Sequence, residues 1–196
     1  MQNIRRCIAV ISSTLIICLL ITGCTANEQN SGESGQSGAE GSDKVQSVSP
    51  ELVWLTTSLT NVATGERFTI KELADQGKPV IVNSFAVWCP GCSMQLLEST
   101  KLLIANPDKY NLVAIDIDPN ENLDKVKRHQ LKNNYGGIFA TSPSAVTRSL
   151  VSAYGPRFAL EIPQTIIISN TTARYLGDGV FSADTLQDAI NDLGNQ

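Results

Sequence analysis

One stretch limits the fold more than any other. The segment from Lys78 to Val87, rich in Val, Ile and Phe, runs directly into Trp88-Cys89-Pro90-Gly91-Cys92 and then into a helical pattern. An apolar run with so little polar alternation is expected to be a central strand covered on both faces. The two cysteines therefore stand at a strand-to-helix junction. Cys89 falls at the helix N-terminus, where unpaired N–H groups and the positive end of the helix dipole favour thiolate over thiol. Cys92 falls one turn later, within reach of its partner's sulfur. Pro90 suits the first helical turn, because the N–H it lacks would find no helical acceptor there. Two cysteines so spaced open a disulfide in two steps, one attacking and the other resolving the mixed disulfide.

Two plainer uses of the pair stand beside the redox one. A structural zinc site needs four ligands, and the mature chain has only Cys89, Cys92 and His129 to offer, the histidine lying about forty residues further on. No metal is expected. A purely structural disulfide between residues this close in sequence closes almost no chain and contributes little entropy.

The N-terminus decides how the remaining cysteines are read. Arg5 and Arg6 precede an apolar run from Cys7 to Ile21, the plan of a secretory signal and short for a membrane span. Ile21-Thr22-Gly23-Cys24 follows and resembles the lipobox of bacterial-type lipoproteins. By that resemblance residues 1–23 are a signal peptide, cleavage falls before Cys24, and its sulfur carries lipid. An uncleaved anchor helix or an ordinary secretory signal are the alternatives. Of five cysteines, Cys7 and Cys18 leave with the signal and Cys24 is capped, so only Cys89 and Cys92 remain as thiols. An exported chain that keeps one tight pair is not using it as scaffolding.

Residues 24–49 turn to Gly, Ser, Glu, Gln and Asn, with too little apolar surface to offset the entropy of ordering. As a flexible tether, about 25 such residues span roughly 25 to 30 Å. Loss of Arg5 and Arg6 leaves 13 basic and 19 acidic residues. With that balance and no basic cluster, neither nucleic acid nor direct adsorption to anionic lipid is expected.

Residues 50–196 are long enough for a sizeable core. Leu52 to Thr57 reads as a short strand, Asn61 to Gly65 as a turn into a second strand around Arg67 to Thr69, and Ile70 to Ala74 as a brief helix. After the central strand, a helix from Pro90 to Ala105 is expected to bury Met94, Leu97 and Ile104 with Leu96 and Leu103. Asn111 to Ile117 reads as the next buried strand, and Glu121 to Asn133 as a polar helix carrying a solvated His129. Ile138 to Thr141 reads as a short strand, and Ser142-Pro143 as the cap of a helix reaching Tyr154. Thr165 to Ser169 and Arg174 to Leu176 read as strands about a turn at Asn170 to Thr172, before a final helix from Ser182 to Leu193. Ser182 with Thr185 lacks the acidic partner of a capping box. Strands alternating with helices, closing on a strand pair and a helix, indicate an α/β fold with a mixed sheet and helices on both faces.

With these pieces in place, the chain resembles the thioredoxin fold, and more narrowly the TlpA/ResA-type membrane-anchored thiol-disulfide oxidoreductases. Val82 to Cys92 and the later Ile162-Pro163-Gln164-Thr165 carry the resemblance, which covers roughly Pro50 to Leu193. It implies a three-layer α/β/α domain with a mixed central sheet and an N-terminal strand extension. It also implies a cis peptide before Pro163, beside the dithiol, with the backbone of Ile162 left to pair with an extended substrate. Such an isomer is cheap before proline, and a residue without an N–H presents no donor to the sulfurs. Trp88 is expected to shield the site, and Pro90-Gly91 to help set its potential.

Two departures from that family leave the proton acceptor open. Asn83 stands where thioredoxin has a buried Asp, and Gln95 where ResA-like proteins often carry a Glu. Glu161 and Asp116 are the candidates by position. The resemblance implies reduction of disulfides in exported proteins, apocytochrome among them, with a membrane electron donor restoring the dithiol and no bound cofactor. The same residues run backwards would make an oxidase. A lipid-anchored copper(I)-binding or delivery protein is a reading of another class, since thiolates suit that ion. A peroxidase would need a Thr where Ala86 stands, and a non-catalytic adhesion or sensing lipoprotein would not need Cys89 at all.

Overall fold

The computed structural model describes residues 52–169 and 172–194. The signal segment, Cys24, the tether and most of the expected turn after Ser169 lie outside the described residues. The first elements are α1 (Val53–Thr56), β1 (Leu59–Thr60), β2 (Arg67–Phe68) and α2 (Ile70–Ala74). Next come β3 (Val80–Phe85), α3 (Pro90–Ala105), β4 (Asn111–Asp116), α4 (Leu123–Asn133) and β5 (Ile138–Thr141). The chain continues through α5 (Ser144–Tyr154), α6 (Arg157–Leu160), β6 (Gln164–Ser169), β7 (Thr172–Asp178) and α7 (Ala183–Gly194).

Five strands make the central sheet, in the order β5-β4-β3-β6-β7. The β3–β4 and β4–β5 pairs are parallel, so α3 and α4 serve as their crossovers, whereas β6 runs antiparallel to both β3 and β7. Every residue of β3 and β6 is buried. That follows from their sequences, Val80-Ile81-Val82 and Ile166-Ile167-Ile168, which leave neither face to water.

Alternation along the strands divides the core between two faces. Val80, Val82, Val113, Ile115, Ile166 and Ile168 pack with Trp54, Ile70, Val146, Leu150 and Phe158 from the helices of one layer. On the other face Ile81, Leu112 and Ile167 meet Leu102, Leu186, Ile190 and Leu193 of α3 and α7. Phe85, Ala114 and Phe139 continue that face and close over Cys89, Cys92, Leu96 and Val126. The expected three-layer α/β/α arrangement with a mixed sheet is what forms.

Several expectations need correcting. Leu52 to Thr57 is not a strand: Val53–Thr56 is a helical turn whose Trp54 is buried and donates its N–H to Ser149 Oγ at 3.1 Å. The N-terminal strand extension is instead the two-residue ladder of β1 with β2. Ser142 does not cap α5; its hydroxyl lies 2.8 Å from Thr147 Oγ1, and Pro143 occupies the cap position without a side-chain bond. The short helix α6, between Tyr154 and Ile162, has no counterpart in the periodicity.

The largest correction concerns α3. Met94, Leu97 and Ile104 are exposed, while Cys92, Gln95, Leu96, Ser99, Thr100 and Leu102 face the protein. Cys92 fixes the rotation of this helix, and residues three, four and seven positions on must follow it inward. Polar residues are thereby buried, and they satisfy one another. Phe181 N–H donates to Gln95 Oε1 at 2.7 Å, Gln95 Nε2 to Ser99 Oγ at 3.0 Å, and Ser99 Oγ to Asn83 Oδ1 at 2.7 Å. Asn83 Nδ2 then donates to Thr165 Oγ1 at 2.9 Å, closing a chain from α7's approach to β6. The acid missing from the Ser182 cap comes from α3, where Glu98 Oε2 accepts the Ala183 N–H at 3.0 Å.

Candidate active site

The site is built where β3 ends. The Cys89 N–H donates to the Ala86 carbonyl at 3.1 Å, making the turn that carries the chain from strand to helix. Cys89 is the N-cap of α3, with Pro90 in the first turn as expected, and its Sγ accepts the Cys92 N–H at 3.1 Å. The two sulfurs form a disulfide, their Cα atoms 5.2 Å apart. They are not equivalent. Cys89 retains 6% of its surface, whereas Cys92 has none. Only Cys89 is within reach of an outside sulfur.

Pro163 lies on the other side of the pair. The Ile162–Pro163 peptide is cis, as the resemblance implied. A Cβ placed on Gly91 would lie 3.6 Å from Pro163 Cδ, so the proline ring stands against the Cys-Pro-Gly-Cys turn. The Ile162 carbonyl oxygen is 3.8 Å from Cys89 Sγ. Among the described residues nothing else pairs with the Ile162 backbone. This loop is anchored from below: Gln164 N–H donates to Ser84 Oγ at 2.9 Å, the Gln164 side-chain amide donates to the carbonyls of Arg157 and Glu161, and Tyr175 O–H donates to Gln164 Oε1.

Trp88 stands at the surface beside the dithiol. It is 64% exposed and donates its indole N–H to Asp118 Oδ2 at 2.6 Å. That bond holds the Asp118 carboxyl below the usual carboxylate range. Trp88, Ile117 and Pro119 line a cleft of about 180 Å³ together with Ala159, Leu160 and Ile162. Leu160 is the most exposed large apolar residue described, at 79%.

The two candidate proton acceptors are placed very differently. Glu161 is partly exposed and its carboxylate pairs with the Arg157 guanidinium at 2.6 Å. Asp116 is buried at the end of β4, in register with Phe85. Burial first, then the charge and hydrogen bond of Glu121, push its carboxyl up to about 7 against the pull of the Asp118 N–H.

Glu121 is the residue that sequence reasoning missed. Its side chain is fully buried, its Oε2 accepts the Val87 N–H at 2.8 Å, and its Oε1 lies 2.7 Å from Lys125 Nζ. In the sequence it is one acid at the start of a polar helix, and only the fold turns it inward. His129 also departs from expectation. It is half-buried, stacked on Phe85 with centroids 6.0 Å apart and tilted against Tyr135 at 5.4 Å, and burial lowers its pKa.

Fold and dithiol together define a thioredoxin-like protein with a Cys-x-x-Cys disulfide at the head of its first long helix. The chain belongs to the AhpC/TSA family, whose sequence profile matches residues 55–173, more than half of the 196 residues. No curated protein sequence matches the chain. Among solved structures it is similar to a secreted Mycobacterium tuberculosis disulfide oxidoreductase homologous to Escherichia coli DsbE. The identity there is 18%, the TM-score 0.56, and 70% of this chain and 96% of that one are covered. A thioredoxin-related protein from Neisseria meningitidis serogroup B gives 18% identity and a TM-score of 0.58 over 70% and 99% of the two chains. A thiol:disulfide interchange protein from Chlorobium tepidum gives 21% and 0.56 over 69% and 91%. At these identities the likeness speaks for the fold.

Proposed function

We propose that this protein is an extracytoplasmic thiol-disulfide oxidoreductase that reduces disulfides in exported proteins. The observation that carries the reading is the unequal exposure of the two sulfurs beside the cis proline. In the reduced protein the Cys89 thiolate attacks one sulfur of a substrate disulfide, forming a mixed disulfide and releasing the other substrate sulfur as thiolate. Cys92 then gives up its proton, which the substrate thiolate already released takes up directly or through water, and the Cys92 thiolate attacks the Cys89 sulfur. The Cys89–Cys92 disulfide forms, the second substrate thiolate leaves, and both electrons have passed to the substrate. Helix α3 stabilises the Cys89 thiolate through its N-terminal dipole and the Cys92 N–H.

The backbone of Ile162, which among the described residues meets only Cys89 Sγ, supports docking of an extended substrate segment in the manner of strand addition. We place the domain outside the cytoplasm, tethered through lipid on Cys24, with a membrane electron donor returning the disulfide to dithiol. The charge-then-apolar leader, the Ile21 to Cys24 motif and the secreted nature of the M. tuberculosis neighbour support that placement. The AhpC/TSA membership does not turn the reading toward a peroxidase, because position 86 is Ala.

The test is reduction of insulin by dithiothreitol with the parent protein and with Cys89→Ser. Acceleration by the parent alone is expected; equal rates refute the proposal. Direction is read from the reduction potential against a glutathione or thioredoxin couple. A value of about −250 mV or below supports a reductant, and one near −120 mV makes the protein an oxidant. A tight one-to-one copper(I) complex that survives competing chelators would replace the exchange reading with metal delivery.

A further inference from the structure

The turn that presents Cys89 is held by carboxylates from a single loop. Glu121 accepts the Val87 N–H at 2.8 Å, and Asp118 accepts the Trp88 indole N–H at 2.6 Å. Behind them Asp116, on the same sheet face as Ala114 and Leu112, is 1% exposed. Asp116 Oδ1 accepts the Asp118 N–H at 3.0 Å, but Oδ2 is buried without a hydrogen-bond partner among the described residues. Glu121 Oε1, on the same loop, is the other buried carboxylate oxygen here without a hydrogen-bond partner among the described residues, although Lys125 Nζ lies 2.7 Å from it, so a carboxyl–carboxyl hydrogen bond is what the two acids lack. Two ionised carboxylates cannot form that bond, since both only accept. With one proton between them, they can. The orphaned oxygen is therefore satisfied in the singly protonated pair and unsatisfied in the doubly ionised one.

We propose that Asp116 and Glu121 form a shared-proton acid pair that couples pH to the reactivity of Cys89 through the Val87–Cys89 turn. The inference rests on the exchange reading above and names positioning residues for it. Charge balance supports it. Among the described residues the cation paired with these buried carboxyls is Lys125, itself half in solvent, while Arg128 and Lys132 of α4 line the hollow beside Val87. The other titratable groups at this place are Asp118 on the same loop, ionised by its bonds to Trp88 and Asn120, and His129 on α4, which burial holds toward its neutral form. The residues of β3 and β5 paired with Asp116, Phe85 and Thr141, bring no charge. In the singly protonated state Lys125 offsets the pair. Loss of the proton sets a second buried negative charge behind the nucleophile's turn, and that charge disfavours the Cys89 thiolate. On the α3 side the buried polar residues joined by hydrogen bonds, Asn83, Gln95 and Ser99, are all neutral.

The experiment follows the exchange rate of the reduced full chain with hydroxyethyl disulfide, a neutral probe, from about pH 5.5 to about pH 8.5. The ratio of the Asp116→Asn rate to the parent rate is expected to rise, by up to about threefold, as the pH passes through neutrality and for as long as Cys89 is still largely thiol, the effect of half a unit in a thiol pKa. Infrared difference spectra of the parent are expected to show a buried carboxylic acid band that titrates near neutrality and is missing from Asp116→Asn and shifted in Glu121→Gln. Parallel pH profiles, or no such band in the parent, overturn the proposal. Should the parent fail to exchange at all, the oxidoreductase reading falls while the infrared band still decides the acid pair. Should Asp116→Asn fail to fold, the parent and Glu121→Gln spectra decide it.

Discussion

Trp88 projects into solvent and yet is tied by its indole nitrogen to Asp118, 2.6 Å away across the gap between the β3 and β4 termini. The bond holds a large aromatic face open beside Cys89 and makes it one wall of the cleft that Leu160 and Ile162 complete. In Asp118→Ala the ring loses this tether, while little buried structure is disturbed. Stability is expected to change by less than about 0.5 kcal/mol, as for surface substitutions generally. Insulin reduction is expected to slow several-fold, and exchange with hydroxyethyl disulfide much less. Steady-state rates on the two substrates check this.

The buried chain from Gln95 to Thr165 predicts a stability effect. Ser99 is its middle link, donating to Asn83 and accepting from Gln95. Ser99→Ala leaves one buried donor and one buried acceptor without partners and is expected to cost about 1–3 kcal/mol. Urea unfolding of the oxidised protein, read as a lower midpoint at unchanged slope, measures it.

Asp116 predicts how stability depends on pH. Its folded pKa, about 7, lies above the ordinary carboxyl value of 3.8, so between those values the folded state binds more proton than the unfolded one. The resulting stability is fully present below the unfolded pKa and is lost as pH rises through the folded pKa. His129, its pKa lowered by burial, acts in the opposite sense, its contribution being lost as pH falls. It is common to both chains and cancels in a comparison. Relative to Asp116→Asn, the parent is expected to lose roughly 2–4 kcal/mol between about pH 4 and pH 8, most of it before pH 7. A series of urea titrations across that range tests the sign.

The inequality of the two sulfurs predicts what each serine variant traps. Cys92→Ser keeps the accessible nucleophile and lacks the resolving one, so it is expected to accumulate mixed disulfides with protein substrates. Cys89→Ser leaves only a sealed thiol and is expected to accumulate none. Non-reducing gels and intact mass spectra distinguish the two.

Local signals were enough for the central strands β3 and β6, because Val-Ile-Val and Ile-Ile-Ile runs have no stable place except between two layers. They were enough for the start of α3 as well: Cys89 at the cap, Pro90 in the first turn and the pair one turn apart are all set by neighbours in sequence. With Ile162-Pro163 added, the redox centre was legible before any coordinates. Periodicity misjudged the buried face of α3, because a hydrophobic stripe through Met94 and Leu97 competes with a rotation that Cys92 imposes from the site.

What the sequence determined by itself, then, was the sheet, the dithiol and the proline opposite it, each written in contiguous residues whose local physics leaves few choices. The tertiary structure decided which polar side chains go inside. Asn83, Gln95 and Ser99 became a closed chain of donors and acceptors, Asp116 and Glu121 were both buried, and His129 moved from a solvated helix face to a stack on Phe85. Burying a polar group is tolerable only when a partner meets it. Those partners lie tens of residues apart along the chain, so only the completed fold brings them together.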